Sequence, residues 1–158
     1  VGRRMQLLGE FATEKGYVAL VDDYGHHPRE IEATLEALRD VWPDRRIVMV
    51  FQPHRYTRTE SLWSDFVQVL AKPDKLLLLD IYSAGEQAAE GINSERLCAN
   101  ISDSTAVAPR YISDVNQVQD VIFEEMQDGD VLLLQGAGNI GKIAADLAQT
   151  KMSTEVTR

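Results

Sequence analysis

Apolar runs of strand length recur along the chain at residues 5–11 ("MQLLGEF"), 17–23 ("YVALVDD"), 46–52 ("RIVMVFQ"), 75–81 ("KLLLLDI"), 106–112 ("AVAPRYI") and 130–135 ("DVLLLQ"). Between most of them the repeat lengthens to that of a helix. From Pro28 to Trp42 the apolar positions Ile31, Leu35, Leu38 and Trp42 fall close to a 3.6-residue period. Pro28 suits the first helical position, where its missing N–H leaves no bond unmade. Leu62, Phe66 and Leu70 predict a second helix, entered through "TRTE", where Thr57 and Glu60 have capping-box spacing. Further helices are expected near 93–101, 114–126 and 139–150. Trp42, Trp63 and Phe66 share helical spacing with aliphatic residues and are expected in the core.

Only "ATEKG" separates the first two runs, which permits an antiparallel hairpin rather than a parallel crossover. After it, strand and helix alternate, and continuous stretches such as "LLLL" and "VLLL" indicate strands covered on both faces. The expected architecture is α/β: a three-layer α/β/α Rossmann-like domain with a mostly parallel six-stranded sheet and an antiparallel first strand. Residues 1–158 are expected to form one domain, with the tail "KMSTEVTR" frayed.

Composition narrows the classes of partner. Hydrophobic residues are 44% of the 158, enough for a packed core, and a net charge of -9 opposes binding to nucleic acid or an anionic membrane. Cys98 is the sole cysteine, so neither an internal disulfide nor a Cys-x-x-Cys zinc pair is available. No apolar run approaches the roughly 20 residues of a membrane span. A cytoplasmic setting is the expectation. The chain opens on "VGRRMQ" without an initiator methionine or signal peptide, and a segment of a longer protein is expected.

In a parallel sheet, ligands gather beyond the carboxyl ends of the strands. All three histidines fall there: His26 and His27 in "DDYGHHP" after the second run, and His54 in "FQPHRYTRT" after the third, beside Arg55, Tyr56 and Arg58. One reading makes His26, His27, His54 and Asp22 or Asp23 ligands of zinc or another late transition metal. Against it, adjacent histidines diverge and two arginines repel a cation. A second reading is an anion site, since guanidinium groups match carboxylates and phosphates in two-point geometry. A third makes Asp23 and His27 a helix cap and leaves the arginines to solvent.

Two other loops invite comparison. "QGAGNIGKI" has the glycines of G-x-G-x-x-G at 136, 138 and 141, but too few residues follow to bring the later strand and acidic residue of a dinucleotide site. As a phosphate loop it places Ile143 where a hydroxyl is required. A tight turn and an anion-binding set of amides both remain open, as does a free-standing nucleotide-binding regulatory module. "YSAGEQAAEGINS" has small residues that would let backbone approach a ligand, or form an exposed loop.

Taken in order, "VGRRMQ", "DDYGHHPREI", "FQPHRYTRT", "YSAGE" and "QGAGNIGKIA" resemble the carboxy-terminal domain of the ATP-dependent muramyl ligases, in the branch that adds L-alanine to UDP-N-acetylmuramate. A recycling ligase that attaches an intact peptide to the same sugar nucleotide is a related alternative. The resemblance implies a cytoplasmic enzyme of peptidoglycan synthesis. Its amino-terminal UDP-sugar domain and central ATPase domain would lie outside this chain. It further implies ATP and Mg2+ as requirements of the full-length enzyme, neither held tightly here, no resident metal, and no catalysis by this domain alone. By resemblance Arg55 and Arg58 orient the alanine carboxylate or acyl-phosphate oxygens, and Tyr24 and His26 complete the pocket. Asp23 would meet the ATP ribose and Arg4 the nucleotide from a hinge. His26 is the candidate to accept the amine proton.

Overall fold

A computed structural model describes residues 4–106 and 108–153. The chain opens with the expected hairpin: β1 (Gln6–Thr13) pairs antiparallel with β2 (Gly16–Asp23), and the ladder closes so far that only Glu14 and Lys15 lie between the strands. A bulge between Leu7 and Gly9 interrupts the register. The remaining elements are α1 (Pro28–Val41), β3 (Ile47–Phe51), α2 (Tyr56–Ser61), α3 (Trp63–Val69), β4 (Lys75–Leu79), α4 (Ser94–Ser104), β5 (Arg110–Ile112), α5 (Val118–Glu125), β6 (Val131–Gln135) and α6 (Ile140–Gln149). A single 3-10 turn over Val115–Gln117 leads into α5.

The six strands lie in the order β1-β2-β6-β3-β4-β5, and every pair after the hairpin is parallel. The expected α/β architecture with an antiparallel first strand is the observed one. Alternation along each strand divides two cores. Ala19, Val21, Met49, Phe51, Leu76, Leu78, Val131 and Leu133 face α1, α3 and α4 through Ile31, Leu35, Phe66, Leu97 and Ile101. Leu20, Val48, Val50, Leu77, Leu132 and Leu134 face α5 and α6 through Val121, Ile122, Ile143 and Leu147. Three successive leucines of β6 are each 0% exposed, and burying each contributes about 1.5–3 kcal/mol. That strand is the centre of the molecule, and its neighbours β2 and β3 deliver the histidine-bearing loops to one edge.

Four expectations need correction. The second helix is two: α2 ends at Ser61 and α3 starts at Trp63, with Leu62 between them at φ -113°, ψ 23°. Thr57 and Glu60 fall inside α2, so they form no capping box; the cap comes from elsewhere, as described below. Of the run 106–112, residue 107 lies outside the described residues, and the described part forms a strand at Arg110–Ile112, just after Pro109, which has no N–H to give a ladder. Phe66 is in the core, while Trp42 and Trp63 pack at its margin. Trp63 donates from Nε1 to Asn100 Oδ1 at 2.9 Å, and the Arg45 guanidinium lies 5.5 Å from the Trp42 ring centre. Residues 154–158 of the expected frayed tail lie outside the described residues. No helix among the described residues is long and apolar enough to cross a membrane.

Candidate functional site

At the carboxyl edge of β2 the chain turns from Asp23 into α1. His27 is the N-cap of that helix: its Nδ1 accepts from the Arg29 N–H at 3.1 Å, and Glu30 closes the capping box. Glu30 Oε1 accepts from the N–H groups of His26 and His27 at 3.1 and 3.0 Å, and Oε2 accepts from Arg4 at 2.5 Å. Burial by itself raises the Glu30 pKa, but the two backbone donors and Arg4 outweigh it and bring the carboxyl down to about 2. Glu30 thus joins Arg4, which precedes β1, to the histidine turn.

Asp23 is 2% exposed and faces inward. Its Oδ1 accepts from the Gly25 N–H at 2.7 Å and Gln135 Nε2 at 3.1 Å, and its Oδ2 from the Thr34 hydroxyl at 2.8 Å and the Met5 N–H at 3.1 Å. Four donors occupy the two oxygens. A contact from Asp23 to a ribose hydroxyl therefore requires one of these bonds to open. Arg4, whose side chain is 50% exposed, needs no such change to meet an anion.

The loop leaving β3 is built differently. Residues His54 and Tyr82 form a parallel bridge, fixed by Arg55 N–H to Tyr82 O and Tyr82 N–H to Pro53 O, both at 2.8 Å. Arg55 then adopts φ +75°, ψ 139°, a region that non-glycine residues enter at a cost of about 1–3 kcal/mol. Arg58 folds back one turn and donates from Nη1 to His54 O at 2.9 Å and to His54 Nδ1 at 3.2 Å. Since a guanidinium only donates, His54 carries its proton on Nε2. Burial first, then the neighbouring His26, Arg58 and Arg55, lowers the His54 pKa, so the ring stays neutral to more acid pH than a free imidazole.

The two loops meet. His26 and His54 ring centres are 5.4 Å apart, Tyr24 stands edge-on to His26 at 5.5 Å, and Tyr82 stacks on His54 at 5.5 Å with 13° between planes. Tyr24, His26, His54, Arg55, Thr57, Arg58 and Ser61 line one open depression of about 500 Å³. Sequence reasoning brought Tyr24, His26, Arg55 and Arg58 to one place; the structure does the same, with Arg4 and Asp23 set beside it rather than in it. His27 turns away into its cap. Among the described residues no group of three or more His, Cys, Asp or Glu could hold a metal ion.

Glycines 136 and 138 have a packing reason. A Cβ on Gly136, at φ +140°, would lie 2.8 Å from Gln52 O, and one on Gly138 would lie 2.7 Å from Cγ of Tyr82. They let the start of α6 press against the ends of β3 and β4. Three contributors escaped the sequence reading, Thr57 and Ser61 as lining residues and Glu86 as the acceptor that caps α2. Glu86 stands in the quoted "YSAGE", but its partner Tyr56 lies 30 residues away at the start of α2.

Two arginines and two histidines gathered beyond the ends of parallel strands, with Asp23 and Glu30 held in hydrogen bonds beside them, make an α/β domain suited to anionic groups. The family model for "Mur ligase, glutamate ligase domain" matches residues 3–138, and the chain belongs to that family. Solved structures agree in fold. UDP-N-acetylmuramate-alanine ligase from Thermotoga maritima is similar at 22% identity and TM-score 0.71, over 95% of this chain and 30% of that one. A murein peptide ligase from Psychrobacter arcticus is similar at 20% identity and TM-score 0.73, over 99% and 31%. Bifunctional folylpolyglutamate synthase/dihydrofolate synthase from Yersinia pestis, complexed with AMPPNP and Mn, is similar at 15% identity and TM-score 0.63, over 95% and 31%. The chain spans about a third of the length of each.

Proposed function

We propose that residues 1–158 are the carboxy-terminal domain of a cytoplasmic ATP-dependent ligase that joins L-alanine to UDP-N-acetylmuramate in peptidoglycan precursor synthesis. One observation carries this: on a chain of net charge -9, the depression at the strand ends is lined by two arginines and two histidines and by no carboxylate. In the reaction, the muramyl carboxylate attacks the terminal phosphorus of ATP and ADP departs. The alanine amine then attacks the acyl carbon, loses a proton, and inorganic phosphate leaves. Each stage presents oxyanions, which fixed guanidinium groups stabilise.

Arg55 and Arg58 hold the alanine carboxylate or the acyl-phosphate oxygens, and Tyr24 and His26 close the pocket. His26 is the candidate on this chain to receive the amine proton. Arg4 reaches the nucleotide. Asp23 acts on the same side by fixing Met5, and its own contact with the ribose would exchange the Met5 N–H for a hydroxyl. Mg2+ belongs with ATP and the central domain. The UDP-sugar and ATPase domains are the partners this chain requires, and by itself it is inactive.

The test uses the full-length protein with ATP and UDP-N-acetylmuramate, following ADP release on addition of L-alanine or of an intact murein peptide. Alanine-dependent release is expected. Release with the peptide alone would replace this assignment by the recycling ligase. Tight ATP or NAD binding by the isolated chain would favour a nucleotide-binding module instead.

A further inference from the structure

Helix α2 presents Arg55 and Arg58 yet has no cap of its own. Arg55, its N-cap residue, makes no side-chain cap hydrogen bond. The acceptor arrives from the loop after β4. Glu86 Oε1 accepts from the N–H groups of Tyr56 and Thr57 at 2.7 and 3.1 Å, and Oε2 accepts from the Thr57 hydroxyl at 2.6 Å. That loop is itself braced: Tyr82 is bridged to His54, and the Glu86 N–H donates to Ser83 O at 3.0 Å. Glu86 is not among the residues that line the depression.

We propose that Glu86 is a positioning residue, which by capping α2 from a second loop fixes the direction in which Arg55 and Arg58 face an anion. This rests on the anion reading of the rim given above. Glu86 opposes the site by charge and supports it by geometry, because a carboxylate beside an anion site weakens binding while orphaned helix donors and a loose first turn misplace the cations. The Thr57 hydroxyl first, then the two amides and Arg55, keep the Glu86 pKa low and the carboxylate ionised. The two roles predict opposite signs on mutation.

Inorganic phosphate titrated into the chain at low salt, followed by nitrogen-resolved NMR of the Arg55 and Arg58 side chains, separates them. Glu86→Ala removes charge and cap together, and phosphate affinity is expected to fall about fivefold, the cost of a lost cap. Glu86→Gln removes the charge but keeps an acceptor, and is expected to bind at least as tightly as the parent. Helical shifts over Tyr56–Ser61 without phosphate should be lost in the first variant and kept in the second. Affinity unchanged or raised in Glu86→Ala, or lowered equally in both variants, overturns the positioning role alone. Absence of saturable phosphate binding by the parent chain overturns the anion reading of the rim, and this inference with it.

Discussion

The loop after β2 closes mainly on itself, whereas the loop after β3 is held by a neighbour. In the first, Asp23 and Glu30 between them accept from six groups: Gly25, His26, His27 and Thr34 within the turn and α1, Met5 ahead of β1, and Gln135 at the end of β6. One further bond joins Glu30 to Arg4. In the second, a strained Arg55 precedes a helix capped from another loop, and the guanidinium groups line open space. Similar polar composition has been put to two uses. Where charges meet inside the chain they set the fold; where they are braced from outside they are left facing open space.

The largest way to test that contrast is Asp23→Ala. Four buried or half-buried donors lose their acceptor, and a loss of about 3–5 kcal/mol in stability to urea is expected. Arg58→Ala, on the other loop, is expected to cost less than about 1 kcal/mol in the same measurement. Equal losses would erase the distinction. Next comes Gly138→Ala, whose methyl has no room against Tyr82 and Gln52; about 1–3 kcal/mol is expected, with a shift in the His54 ring resonances as the Tyr82 stack moves.

Glu30→Gln keeps an acceptor for His26 and His27 but loses the pairing with Arg4. Because the folded pKa is depressed, the stability Glu30 supplies is full above its ordinary value of 4.5 and vanishes as pH falls to about 2. With a side chain 27% exposed the effect is screened, so a deficit of about 1 kcal/mol at pH 7 is expected, shrinking on acidification. A deficit independent of pH would mean that the charge is not what counts. The smallest effect compares Arg55→Gly with Arg55→Ala: glycine relieves φ +75° and should be the more stable of the two by about 1 kcal/mol.

The strands and most helices were legible because their apolar periods are strong and local. Pro28 and His27 mark the start of α1 in the sequence, and the Leu runs mark the central strands. Thr57 and Glu60 misled because their spacing imitates a cap that the chain supplies from Glu86, across two loops whose contact depends on β3 and β4 being neighbours. Asp23 was legible as a special carboxylate but not in its direction: its inward orientation follows from Thr34, Gln135 and Met5, which are distant in sequence. The rule that ligands sit at the carboxyl ends of parallel strands brought the three histidines, Arg55 and Arg58 to one rim; Tyr24 joined them only through the family resemblance, and nothing local showed that His27 turns away into its cap.

In the proposed reaction the arginine rim of this domain recognises the amino-acid substrate. Steady-state kinetics of the full-length protein carrying Arg58→Ala separate that role from a structural one. The KM for L-alanine is expected to rise about tenfold or more, the loss of a charge-assisted hydrogen bond, with the KM for ATP nearly unchanged. An alanine dependence equal to that of the unmodified protein would remove Arg58 from the site and overturn the proposed recognition.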